Sequence, residues 1–153
     1  MARENRTSPI GKDLQITGSL RVTLLFMLDT DSVSFALRGQ GNVATQILAH
    51  RPSELCVSSI TVAELRYGAT RRNSTKLHQL IDTFIENLAV MPFDEVCAAR
   101  FGRLASELAE QGVPIGEFDT LIAAHAITLE VTLVTNNTKH FSRVQGLKMV
   151  NWA

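Results

Sequence analysis

An unbroken apolar run, "LLFML", ends on Asp29, and a second carboxylate, Asp31, follows within "DTDSVS". Two later acids stand in similar company: Glu64 in "SSITVAELRYGA" and Asp119 in "GEFDTLIAAHA". A lone carboxylate in such a place can attack or move a proton. Several together hold a hard divalent cation through oxygen.

Each acid also has a purely structural use. A helix N-cap explains one of the first two, and Asp31 or Ser32 is the more natural cap, which leaves Asp29 at the end of a buried strand. Thr61-Val62-Ala63-Glu64 fits a capping box, with Thr61 opening a helix and Glu64 bonding back to it. Asp119, like Glu117, suits the positive end of its helix. His125, further along, reads as a core histidine. If the acids meet, two carboxylates ~4 Å apart repel by ~4 kcal/mol at an effective dielectric of ~20. Either one takes up a proton or a cation sits between them. Oxygen ligands without thiolate or imidazole suit Mg²⁺ or Mn²⁺.

The elements that must position these residues follow from periodicity. Residues 20–28 read as a strand buried on both faces. "SVSFALRG" and "NVATQILAH" read as short helices, split by Gly39 and Gly41. "LCVSSI", "VMPF", "VTLVTN" and "LKMVNW" are the later strands. Between them lie helices in "TVAELRYGATRR", "STKLHQLIDTFIENLA", "EVCAARFGRLASELAEQ" (capped by Asp94), "EFDTLIAAHAITLE" and "TKHFSRV". Strands alternating with helices predict an α/β domain with a mainly parallel sheet covered on both faces. In such sheets the working crevice lies beyond the carboxyl ends of the strands, where strand order reverses. Asp29 and the Asn136-Asn137 pair both fall at strand carboxyl ends.

The bulk numbers narrow the field. With 153 residues, 45% hydrophobic, the chain fits one domain, expected over residues 20–153 after a polar tail over 1–19 that lacks the apolar centre of a signal peptide. No apolar stretch is long enough to cross a membrane, which predicts a cytoplasmic protein. Fifteen basic and fifteen acidic residues leave no global charge to attract nucleic acid, so only a local patch can do so. The basic run Arg66, Arg71, Arg72 and Lys76 is such a patch; its bland alternative is a solvated helix end. Cys56 and Cys97 read as small buried residues, and the scattered histidines show no zinc spacing.

Taken together, "MLDTD", "SSITVAELRYGA", "GVPIGEFDTLIAAHA" and "TLVTNNTKHFSRVQGLKMVNW" resemble PIN-domain ribonuclease toxins of the VapC type. The resemblance runs from Phe26 to Trp152 with the motifs in the family's order. It implies a three-layer α/β/α sandwich and assigns the metal to Asp29, Glu64 and Asp119, overriding the capping reading of Glu64. It implies Mg²⁺- or Mn²⁺-assisted hydrolysis of RNA, leaving 5′-phosphate and 3′-hydroxyl ends, with tRNA among the family's targets. Asn137 joins the catalytic set, and Thr30, Asn136, Arg66, Arg71 and Arg72 are substrate-side candidates. The implied partners are a VapB-type antitoxin lying across the groove, a second copy in a homodimer, and DNA only through the antitoxin. The chain departs from the pattern where relatives carry further acids: it has Asn136-Asn137, His140 and Ser142.

Two other readings stay open at this level. A nuclease fold short of acids can persist as a binding module without activity. Asp29-Thr30-Asp31-Ser32-Val33 also looks like the D-x-D-x-[TV] signature of haloacid-dehalogenase-type phosphatases, though that family needs a later acidic pair where Asn136-Asn137 stands.

Overall fold

A computed structural model describes residues 23–153. The tail over 1–19 and the first residues of the expected opening strand lie outside them. Five strands form one parallel sheet: β1 (Phe26–Leu28), β2 (Leu55–Ser58), β3 (Ala89–Met91), β4 (Thr132–Val134) and β5 (Met149–Val150), in the order β3-β2-β1-β4-β5. Between them run α1 (Thr30–Arg38), α2 (Val43–Leu48), α3 (Ser59–Arg71), α4 (Thr75–Glu86), α5 (Glu95–Glu110), α6 (Glu117–Leu129) and α7 (Thr138–Phe141), with a 3₁₀ turn at Pro52–Glu54.

β1 is shorter than its apolar run because β2 begins opposite Phe26, at Leu55. Its side chains alternate between two cores, as the period of a strand requires. Met27, Cys56 and Leu133 face Leu104, Leu108, Ile122 and Ala126 of α5 and α6. Leu28, Leu55, Val57 and Val134 face Val33, Leu65, Ala69 and Ile81 of α1, α3 and α4. The sheet is thus the middle of three layers.

α6 is apolar nearly all round, and its small buried Ala123, Ala124 and Ala126 let it pack closely on the core beside Ile122 and His125. It starts at Gly116, whose φ of 96° few other residues adopt. Asp94 caps α5 as expected, accepting from the Cys97 amide at 3.1 Å. Burial pushes the Cys56 thiol up to about 12, so it is an inert core residue. Among the described residues no helix is long and apolar enough to cross a membrane.

The switch point of the sheet lies between β1 and β4. From β1 the chain goes to β2 on one side, and later strands are laid down on the other. The loops leaving β1 and β4 therefore diverge there and open a crevice.

Candidate active site

Asp29 is the first residue beyond β1 and sits at this crevice, only 4% exposed. The sequence favoured Asp31 or Ser32 as the cap of α1. Instead Asp29 is the N-cap, its Oδ1 accepting from the Ser32 amide at 2.8 Å. The strand leads directly into the helix, so no residue is left over to separate cap from strand end. Capping and a place in the crevice fall to the same side chain, because the bond from Ser32 uses only one carboxylate oxygen.

Glu64 does not form a capping box. α3 begins three residues earlier than that reading required, with Ser58 as its cap, accepting from the Ile60 amide at 3.0 Å. Glu64 lies in the second turn, and its Oε1 accepts from Thr30 Oγ1 at 2.5 Å. Thr30 Oγ1 also stands 3.3 Å from Thr61 Oγ1, and the three side chains join α1 to α3. Asp119, in the first turn of α6, is held from the opposite side: its Oδ2 lies 3.2 Å from His140 Nδ1.

One small cleft of about 70 Å³ is lined by Asp29, Thr30, Asp31, Glu64, Asp119, Asn137 and Phe141. Burial raises the carboxyl pKa at three of these acids. Asp29 is pushed up to about 6 despite stabilising bonds from Thr135 and Ser32. Glu64 is raised by burial and, more weakly, by the charges of Asp119 and Asp31, against the Thr30 bond. Asp119 is raised by burial against the opposing pull of His140. The site therefore gathers negative charge where solvation is poor, and a cation would relieve it.

The acids share the cleft without forming a closed ligand shell. Among the described residues no three His, Cys, Asp or Glu side chains stand close enough to grip one ion as they are. Glu64 is bonded by Thr30 and Asp119 is paired with His140, so each of these carboxylates already has a protein partner.

The PIN domain family matches residues 26–147. The chain belongs to this family. The PIN domain is 35% identical over 131 residues to a tRNA(fMet)-specific endonuclease VapC of Shigella flexneri, covering 85% of this chain and 99% of that protein. It is 38% identical over 130 residues to Ribonuclease VapC2 of Haemophilus influenzae, covering 84% and 98%. Among solved structures it resembles DNA-bound VapBC from Salmonella typhimurium, with a TM-score of 0.78, 34% identity, and 86% of this chain and 100% of that chain covered. It also resembles VapBC2 of Rickettsia felis bound to a promoter DNA fragment, at a TM-score of 0.75 and 35% identity, with 85% and 100% covered. Membership of the PIN family removes the phosphatase reading of Asp29 and Asp31.

The PIN fold brings together Asp29, Glu64, Asp119, Asn137 and Thr30 and sorts the remaining candidates. Asn136 turns away, its Oδ1 accepting from Asn151 Nδ2 at 3.2 Å. Arg66 is engaged by Asp82 at 2.5 Å and by the His78 carbonyl at 3.2 Å, because α4 packs alongside α3. Arg71 lines neither the acidic cleft nor its neighbour, whereas Arg72 lines the neighbour.

Two participants were not legible beforehand. Phe141 walls the cleft, and His140 pairs with Asp119 and lies 2.9 Å from Asn137 Nδ2. The sequence marked His140 only as a missing acid. Its reach to Asp119 depends on how the turn after β4 meets α6, which no local pattern encodes. His125 is a core residue, as read: it is fully buried, with Nδ1 2.8 Å from Ser58 Oγ and its ring edge-on to Phe93.

Proposed function

We infer that the chain is the toxin of a type II toxin–antitoxin pair, an endoribonuclease that hydrolyses RNA phosphodiester bonds with the help of Mg²⁺ or Mn²⁺. One observation carries this reading. Three carboxylates from segments far apart in sequence line a single cleft at the switch point of a PIN sheet, each with its pKa raised. The relatives named as VapC ribonucleases support the activity and substrate class. The resemblance to VapBC complexes supports a VapB-type antitoxin as partner, with DNA engaged through the complex. A homodimer is part of the same proposal.

Asp29, Glu64 and Asp119 would hold the cation, with hard oxygen donors matched to Mg²⁺ or Mn²⁺. When bound, it would lower the pKa of a water and stabilise the charge developing on phosphorus. The chain's own residues prepare that step. Asp29 is fixed by its bond to the Ser32 amide, so its free oxygen has a set direction. Thr30 holds Glu64 over the cleft, and His140 holds Asp119. The buried walls, Phe141 among them, thin out water around the reacting group and strengthen every charge in the cleft. In-line attack would leave a 5′-phosphate and a 3′-hydroxyl.

The test is incubation of the purified chain with RNA, with Mg²⁺, with chelator, and as Asp29→Asn, followed by sequencing of the new 5′ ends. Cutting by the wild type with Mg²⁺ alone is expected. Cutting by the variant or in chelator would overturn the reading.

A further inference from the structure

We propose that the cleft between α1 and α3, next to the carboxylates, holds a backbone phosphate of the RNA strand between Arg38 and Arg72. The proposal rests on RNA being the substrate. The cleft is lined by Thr30, Ser34 and Arg38 from α1, by Glu64 and Gly68 from α3 and by Arg72 at its C-cap, over an apolar floor that includes Leu65. Each trio is spaced by four residues, so each lies along one face of its helix. Thr30 and Glu64 also line the acidic cleft, so the two clefts share a wall.

The two helices run side by side in the same sense. At one end Thr30 bonds to Glu64; eight residues further along each helix, ~12 Å at 1.5 Å per residue, stand Arg38 and Arg72. A strand with its scissile bond among the carboxylates would therefore pass two guanidinium groups on leaving. Arginine suits this task, because its fork of donors matches phosphate oxygens and its charge persists at any working pH. Arg38 lines this cleft, with its Cζ over the Phe35 ring and its Nε donating to Gln40 Oε1.

Both arginines also suit helix C-termini on electrostatic grounds alone. Gly68 argues for more. It sits inside α3, where glycine weakens a helix, and it has no positive φ that would require it. A Cβ added there would meet no atom within 4 Å. Neither backbone nor packing needs a glycine at this position. What its bare backbone provides is room in the cleft between Glu64 and Arg72.

Binding of a fluorescein-labelled single-stranded RNA to the full chain, followed by anisotropy in chelator across a salt series, tests the proposal. Arg38→Gln and Arg72→Gln should each weaken binding and reduce the slope of log K against log salt, by about 0.7 at most when both are changed, the value of one phosphate contact on a single strand. Arg103→Gln, an exposed arginine on α5, should leave the slope as it is. Gly68→Leu should bind RNA several-fold more weakly while melting no lower than the wild type. Wild-type slopes in both cleft variants, an equal drop in Arg103→Gln, or full RNA binding by Gly68→Leu would overturn it. Uptake of Mn²⁺ by the wild type, read by electron paramagnetic resonance, is a separate readout. Its failure would remove the metal assignment and leave the phosphate cleft to be judged on the salt slopes.

Discussion

Thr30 Oγ1 donates to Glu64 Oε1 at 2.5 Å, a hydrogen bond that spans 34 positions of sequence and ties the first turn of α1 to the second turn of α3. Thr30 follows Asp29 directly, so one dipeptide places one acid by its own backbone and a second by its neighbour's hydroxyl. The bond aims Glu64 at the cleft, and its loss should free the carboxylate to solvent. Removing a partner that orients a ligand commonly costs ~10- to ~100-fold in activity or metal affinity. Thr30→Val should fall in that range in RNA cleavage, while Thr30→Ser keeps most activity. Equal activity of the valine and serine variants would mean that the bond has no part in the reaction.

Asp29 should stabilise the protein less than its neutral amide does. Its folded pKa of about 6 lies above the ordinary 3.8, because burial penalises the charge. At ~1.36 kcal/mol per unit the ionised form costs the fold about 3 kcal/mol at most at neutral pH. Asparagine keeps the cap to the Ser32 amide and carries no charge. Asp29→Asn should raise the melting temperature by several degrees at pH 7.5 in chelator, and should abolish the RNA cutting that the wild type shows with Mg²⁺. Differential scanning calorimetry checks the first and a gel assay the second.

The same shift sets a pH dependence with a definite sign. A carboxyl whose pKa is raised on folding contributes fully below its unfolded value, and that contribution is lost as pH rises through the folded value. In chelator the Asp29 contribution should therefore fall between about pH 4 and pH 6, and Glu64 and Asp119 act in the same direction. Urea melts in this window should give a steeper fall with pH for the wild type than for Asp29→Asn.

His125 should act with the opposite sign. Burial lowers its pKa, against the pull of Asp94, and its Nε2 has no partner among the described residues. A histidine lowered on folding contributes stability above its unfolded pKa of ~6.5 that is lost as pH falls below it. His125→Asn should lower stability at neutral pH and remove this acid-side loss. The difference in stability between variant and wild type should then shrink from pH 7.5 to pH 5.5.

Much of the architecture was legible because β1, β2 and β4 are buried on both faces and read as apolar runs, while α4 carries a clear helical period. The parallel sheet and its covering layers follow from that alternation. The site was legible as a set of residues more than as a geometry. Asp29 stood out at the end of a buried apolar strand, whereas Glu64 and Asp119 joined it through the resemblance of their motifs to the PIN family. Which residue caps α1 did not, because four candidate oxygens crowd positions 29–32 and only the exit angle of β1 selects among them. Glu64 showed a local capping pattern that the earlier start of α3 overrides. The basic run divided for a tertiary reason: Arg66 meets Asp82 of α4, and Arg72 meets the cleft.

The central claim is that Asp29, Glu64 and Asp119 act together on one divalent cation. Titration of Mn²⁺ into the metal-free chain, with free ion counted by electron paramagnetic resonance, tests it most directly. The wild type should take up Mn²⁺, and Asp29→Asn, Glu64→Gln and Asp119→Asn should each weaken uptake by ~10-fold or more, as loss of a charged ligand demands. Undiminished uptake in any two of these variants, with their fold intact, would contradict the account.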